Sequence, residues 1–275
     1  MARVRLPAVA GSFYEGDRAL LRQHVDLLLR EAPEATPTGS VVGLVCPHAG
    51  YLYSGSTAAA GYNALKGSSF DAVLMVGPSH RDFFTGVSIY PGDAYRTPLG
   101  DVPVQKDFRT ALAEASPVIK VDDAGHREEH CLEVQLPFLQ RVLEGFSFVP
   151  MIIGDQTRDV CLALGRAIAS VARDRKVLLI ASSDLSHFHP YDVAVGLDRR
   201  VIDYVEKFDA EALMSQLDGE RVEACGGGPV VAVMLAAKLL GADRSQVLFY
   251  CNSGDITGDR GAVVGYLSAA FLRAN

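Results

Sequence analysis

Val41-Val42-Gly43-Leu44-Val45-Cys46-Pro47-His48-Ala49-Gly50-Tyr51 reads as a buried strand that stops at a proline and delivers a histidine. A short, continuous, β-branched apolar run suits a parallel strand covered on both faces. The arrangement returns twice. Ala72-Val73-Leu74-Met75-Val76 runs into Gly77-Pro78-Ser79-His80, and Val177-Leu178-Leu179-Ile180-Ala181 runs into Ser182-Ser183-Asp184-Leu185-Ser186-His187-Phe188-His189. Ligands of open α/β sheets bind outside the carboxyl ends of the strands. If the three strands are parallel neighbours, their histidines converge on one crevice. A lone histidine at such a place more often just finishes a turn, but a threefold repeat of the placement favours a shared site.

Outward from these runs, residues 146–153 read as a fourth buried strand, and 87–90, 247–251 and 262–267 as further strands. Between them, residues 18–30, 54–65, 106–114, 132–143, 157–173, 193–206 and 229–240 carry the apolar spacing of helices. Pro229 fits the first turn of the last, where its missing N–H costs nothing. Alternating strands and helices predict an α/β fold, a three-layer α/β/α sandwich around a mixed, mostly parallel central sheet. The only linker-like stretch is 31–40, with Pro33, Pro37 and Gly39, so residues 1–275 are expected to form one domain.

Composition narrows the function. The formal charge is −7 and the basic residues are scattered, so there is no basic surface for a phosphate backbone and nucleic acid is not an expected partner. Five cysteines, odd in number and without a C-x-x-C pair, argue for a reducing compartment. Pro7 and Gly11 interrupt any signal-type apolar region, and the longest apolar stretches, such as 230–237, fall far short of the ~20 residues that span a bilayer. A cytoplasmic protein without membrane partners is expected. No G-x-x-x-x-G-K-[ST], G-x-G-x-x-G or G-x-S-x-G occurs, so nucleotide binding and serine hydrolysis lack sequence support.

Two histidines plus one anionic ligand suit iron(II) with coordination positions left open. The anion is either Asp184 or Cys225, in Glu223-Ala224-Cys225-Gly226-Gly227-Gly228-Pro229. Cys225 lies just before a predicted helix, whose N-terminus should lower the thiol pKa. His126-Arg127-Glu128-Glu129-His130 matches H-x-x-E-H, a helical zinc-protease pattern. Gly125 and the acidic pair Asp122-Asp123 instead suggest a helix start that His126 precedes, leaving His130 or Glu133 to lean into the shared pocket and bind ligand.

Pro7-Ala8-Val9-Ala10-Gly11-Ser12-Phe13-Tyr14, Pro47-His48-Ala49-Gly50-Tyr51, Gly77-Pro78-Ser79-His80, Tyr95-Arg96-Thr97-Pro98-Leu99-Gly100, Glu129-His130-x-x-Glu133, Ser182-Ser183-Asp184-x-x-His187 and Cys225-Gly226 follow one another along nearly the whole chain. This order resembles the Memo ("mediator of cell motility") family, whose prokaryotic members are called AmmeMemoRadiSam system protein B. The resemblance implies a fold similar to class III (LigB-type) extradiol dioxygenases, with His48 and His80 as metal ligands. It also implies Cys225 as the third ligand, Asp184 and His187 as catalytic pocket groups, and His187 as the acid/base.

Where those dioxygenases have a carboxylate, this sequence has a thiol, which is softer and itself oxidisable. The expected cofactor is iron(II) or copper, ahead of zinc, in a metal-dependent redox or oxygenase-like enzyme. The alternatives are a non-catalytic module that binds a peptide or small ligand in the same pocket, and a zinc hydrolase. The prokaryotic name further implies AMMECR-type and radical SAM partner proteins.

Overall fold

A computed structural model describes residues 2–34 and 36–274; Met1, Asn275 and Ala35, which falls within the linker-like stretch, lie outside the described residues. The first half of the chain runs β1 (Val4–Arg5), α1 (Arg18–Glu31), β2 (Ser40–Cys46), α2 (Tyr51–Asn63), β3 (Ala72–Pro78), β4 (Val87–Ile89), β5 (Ala94–Thr97), β6 (Gly100–Pro103), α3 (Lys106–Ala115) and β7 (Ile119–Val121). It continues through a 3-10 turn (Glu133–Gln135), α4 (Leu136–Val142), β8 (Phe148–Ile153), α5 (Arg158–Val171), β9 (Val177–Ser182) and β10 (His187–His189). Then come α6 (Tyr191–Glu206), α7 (Ala210–Asp218), α8 (Gly227–Leu239), β11 (Arg244–Asn252), α9 (Ser253–Thr257) and β12 (Val263–Arg273).

The large sheet has the order β12-β2-β9-β3-β8-β4-β7, with β11 and β10 also pairing β12. Its four central strands are parallel: β2 with β9, β9 with β3, and β3 with β8. Antiparallel pairing sits on the flanks, β12 against β2 and β4 against β8, so the sheet is mixed as expected. Side chains of each central strand alternate between two cores. Leu74, Val76, Leu179 and Ala181 pack with α5, α6, α7 and α8, while Val73, Met75, Leu178 and Ile180 pack with α1, α2 and α4. Both faces are apolar because both are covered, which is why these runs carry no polar alternation in sequence. The result is the three-layer sandwich.

Local chemistry accounts for the elements around the sheet. The Asp17 carboxylate accepts from the N–H of Ala19 and Leu20 to start α1, and Leu21, Val25 and Leu29 form its buried stripe. The helix expected over 132–143 is instead a 3-10 turn followed by α4. Pro137 sits in the first turn of α4 and has no N–H to give the Glu133 carbonyl, which receives the Leu136 N–H instead. A second, three-stranded sheet, β1-β5-β6, was not foreseen, and it carries Arg5 and Tyr95 toward the site.

Candidate metal centre

Because β9 lies between β2 and β3, the three strand ends that carry histidines are neighbours. His48 leaves β2, His80 leaves β3 and Asp184 leaves β9, all at the carboxyl edge, while His187 opens β10 just beyond. The rings of His48 and His80 are 5.1 Å apart, and that of His130 lies 5.4 Å from the first and 4.8 Å from the second. Cys225 enters from the segment before α8. Its sulfur and one nitrogen each from His48 and His80 all lie within 4.8 Å of one another, a spacing that can hold a metal ion.

Hydrogen bonds fix which imidazole nitrogen is free. The Ser182 hydroxyl donates its one proton to the Cys131 carbonyl (2.7 Å) and accepts from the Gln135 amide (2.8 Å). Its contact with His48 Nδ1 (2.9 Å) therefore requires that nitrogen to donate, leaving the Nε2 lone pair facing Cys225 Sγ at 3.1 Å. His80 Nδ1 donates to the Glu129 carboxylate (2.9 Å), and His187 Nδ1 to the Leu185 carbonyl (2.8 Å). Each of the three thus keeps Nε2 unprotonated in its neutral form, the arrangement that metal-binding histidines need.

The electrostatics sort the groups by burial. Burial, with His80 nearby, pulls His48 down to about 3, and burial with His48 nearby pulls His130 down to about 4, so both rings are neutral near pH 7. Burial pushes Asp184 up to about 6, although its carboxylate accepts the His48 backbone N–H at 2.8 Å. Burial also works to raise Glu129, but it is outweighed by His80, which donates through Nδ1 and through its backbone N–H. Further backbone donation from His130 and Cys131 joins these bonds, and Glu129 stays ionised at about 2.

Cys225 corrects an expectation. It precedes both the Gly226 cap and the first turn of α8, and burial pushes its thiol well above the ordinary value, with Asp184 adding to the rise. The Asp184 N–H donated to Sγ at 3.3 Å offsets only part of this. In the metal-free protein the sulfur is a thiol, with His48 Nε2 at 3.1 Å and the Asp184 carbonyl at 3.6 Å as acceptors for its proton.

The remaining candidates separate clearly. His130 stands within the histidine cluster, and His187 shares a cavity wall with Cys225. Glu133 does not face the cluster. Its carboxylate accepts from Arg5 Nη1 (2.6 Å), the Tyr14 hydroxyl (2.6 Å), and the N–H groups of Ala8 and Val9 (2.7 and 3.0 Å). It therefore clamps the Pro7–Tyr14 segment, from which Phe13 sets its ring 4.9 Å from that of His130. Residues 126–130 are not helical, so the H-x-x-E-H spacing has no helical geometry. Reading single residues missed Glu129, Ser182 and Gln135, which orient ligands rather than supply them. Glu129 lay in plain view inside the quoted motif, next to His130.

Two expected results arise here. A Cβ on Gly226 would stand 2.2 Å from the Ser182 carbonyl oxygen, inside any tolerable contact. Gly226→Val should push the Cys225 segment off the end of β9 and destabilise the fold by about 1–3 kcal/mol, which urea unfolding measures. The second concerns His126, buried at the far end of the Arg5 network. The Ser88 hydroxyl donates to Ala124, so His126 Nε2 donates to Ser88 (3.1 Å) and Nδ1 accepts from the Tyr95 hydroxyl (2.6 Å). Burial lowers His126 to about 3, against 6.5 for a free histidine, so between these values the unfolded chain binds a proton that the folded one refuses. Its contribution is complete above roughly pH 6.5 and drains away as pH falls toward 3. His126→Asn should lower the urea midpoint at pH 7 while flattening its fall toward pH 4.

Fold and site together define a three-layer α/β protein with two histidines and a cysteine gathered at the carboxyl edge of its parallel strands. The sequence model of the family described as Memo-like protein matches residues 5–270, and this chain belongs to the Memo family. It is 37% identical to a MEMO1 family protein of Methanothermobacter thermautotrophicus, over 96% of this chain and 98% of the relative. It is 39% identical to one from Sulfolobus acidocaldarius, covering 98% and 99%, and 34% identical to one from Nitrosopumilus maritimus, covering 98% and 100%. Among solved structures, an uncharacterized protein from Escherichia coli shares the fold, with a TM-score of 0.59 at 16% identity over 84% of this chain and 100% of that one. Among the described residues no helix is long and apolar enough to cross a membrane.

Proposed function

We propose that His48, His80 and Cys225 hold a redox-active metal ion, iron(II) or copper ahead of zinc, in an oxidoreductase that acts on a small organic molecule. The observation that carries this reading is the meeting of three donor atoms within 4.8 Å of one another. The chemistry of the set agrees: two imidazoles whose Nδ1 protons are committed elsewhere, and one thiol that deprotonates on coordination. When bound, such an ion would supply one-electron chemistry and a seat for dioxygen.

The protein's own groups have distinct parts. Glu129 and Ser182 orient the two imidazoles. Asp184, whose carboxylate holds the His48 backbone N–H at 2.8 Å, is a second pocket group able to take or give a proton. His187, with Nδ1 held by Leu185 and a place on the cavity wall beside Cys225, presents Nε2 as the acid/base toward substrate. The five free cysteines suit a reducing, cytoplasmic setting.

The test is anaerobic loading of untagged protein with iron(II) or copper, elemental analysis, and an oxygen-uptake assay. Stoichiometric metal with oxygen uptake supports the proposal. Negligible metal overturns it. Stoichiometric zinc with hydrolysis and no oxygen uptake moves the site to hydrolytic chemistry, and metal without turnover moves it to a binding role.

A further inference from the structure

A cavity of about 610 Å³ opens beside the histidine–cysteine cluster, and His187 and Cys225 form part of its wall. Its volume lies within the range of small-molecule sites. Another groove, of about 710 Å³, runs past Arg18, Arg22 and Arg141, but it touches none of the site residues. The cavity beside Cys225 places the thiol and His187 on one wall.

The lining states what would fit. Leu185, Met214 and Val222 are buried apolar side chains, and Leu217 joins them from α7. A flat apolar body would lie well against these aliphatic groups and the polarisable Met214 thioether. The lip is acidic: Asp218, Glu220 and Glu223 line the cavity, and no lysine or arginine does. Asp218 is paired with Arg158 and Glu223 with His189, both at 2.9 Å, so their charge is partly answered. Glu220 has no ion pair among those found for the described residues. Its backbone is left-handed, with φ of 52°, where it closes α7: its N–H donates to the Leu217 carbonyl and the next, from Arg221, to that of Gln216. Glycine would take that conformation at less cost, so Glu220 can be exchanged for glycine without harm to the helix end.

From these observations we infer that the substrate is a small organic cation, an apolar body bearing an amine, which enters past α7 with its charge toward Glu220 and its body against Met214 and Leu217. This rests on the metal reading above for what happens to the molecule, but not for its recognition. Anions are disfavoured by the same lip.

Three probes of one shape and different charge test it: 2-phenylethylamine, 2-phenylethanol and 3-phenylpropionate. Their binding is followed by saturation-transfer NMR on chelator-treated and on metal-loaded full-length protein. The amine should bind roughly tenfold more tightly than the acid, with the alcohol between them, and the gap should shrink as salt is added. Glu220→Lys should reverse the order. Glu220→Gly should erase most of the preference while leaving stability and metal content unchanged or improved, which separates recognition from folding. Equal binding of amine and acid, preference for the acid, or no binding of any probe at millimolar concentration overturns the inference, even if the protein binds its metal. The amine preference in a protein that takes up no metal would uphold the recognition and sink the metal proposal alone.

Discussion

His48→Ala, and separately Cys225→Ser, should each lower metal affinity by more than about a hundredfold, because losing a ligand exceeds the 10–100-fold cost of losing a group that only orients one. The structure sets the order of the effects. His48 is buried, with its tautomer fixed through Ser182 and its free nitrogen 3.1 Å from the sulfur, so its loss removes a donor already aimed at the site. Glu129→Gln keeps the size and one acceptor, but weakens its hold on His80 Nδ1 and on three backbone N–H groups. It should cost roughly 10–100-fold, the cost of losing an orienting group. Coordination must also displace the Cys225 proton, while His48, at about 3, has none to lose at neutral pH. Uptake should therefore release one proton from this pair, and affinity should climb about tenfold per pH unit through the neutral range. Isothermal titration in buffers of different ionisation enthalpy reads both quantities. A flat pH dependence, or a Cys225→Ser protein that binds like the parent, would remove the thiol from the ligand set.

How much of this was legible in the sequence depends on the range of each interaction. Strands such as Val73–Val76 announce themselves because burial on both faces demands continuous apolar runs, a purely local signal. The neighbouring of β2, β9 and β3 is not local. It could be stated only as a condition, and the histidines converge because the structure meets that condition. Helix α7 escaped notice because its nine residues bury only Ala210, Leu213 and Met214, too few to impose a periodicity. The Cys225 thiol was misjudged for a different reason. A helix N-terminus can be read from a glycine-rich run and a proline, whereas desolvation depends on everything packed around the sulfur, and here desolvation wins. Glu133 shows the same limit. A glutamate one turn beyond a pocket histidine is a fair candidate to face the pocket until the chain from residue 5 to 14, more than a hundred positions away, is seen to occupy it.

That occupation makes Glu133 the position where a single change should harm the fold most. Arg5 and Glu133 have side chains 4% and 0% exposed and meet at 2.6 Å. Glu133→Ala leaves the guanidinium buried without its carboxylate, a loss of about 3–5 kcal/mol where one partner of a buried pair is removed. Arg5→Met is its counterpart and leaves the carboxylate uncompensated. In many proteins replacing both partners with apolar groups restores stability, since the desolvation of the two charges disappears with them. Here it should not. Glu133 also accepts from Tyr14, Ala8 and Val9, and removing it orphans the buried Tyr14 hydroxyl, worth about 1–3 kcal/mol, while freeing the less buried N–H groups of Ala8 and Val9. A double-mutant cycle of Arg5→Met and Glu133→Leu by urea unfolding should find the double variant still about 1–3 kcal/mol below the parent. Because the same clamp sets Phe13 against His130, metal affinity should fall in the double variant even at temperatures where it remains folded. A double variant as stable as the parent would mean that Glu133 serves the ion pair alone, and that the Pro7–Tyr14 segment is held in place by something else.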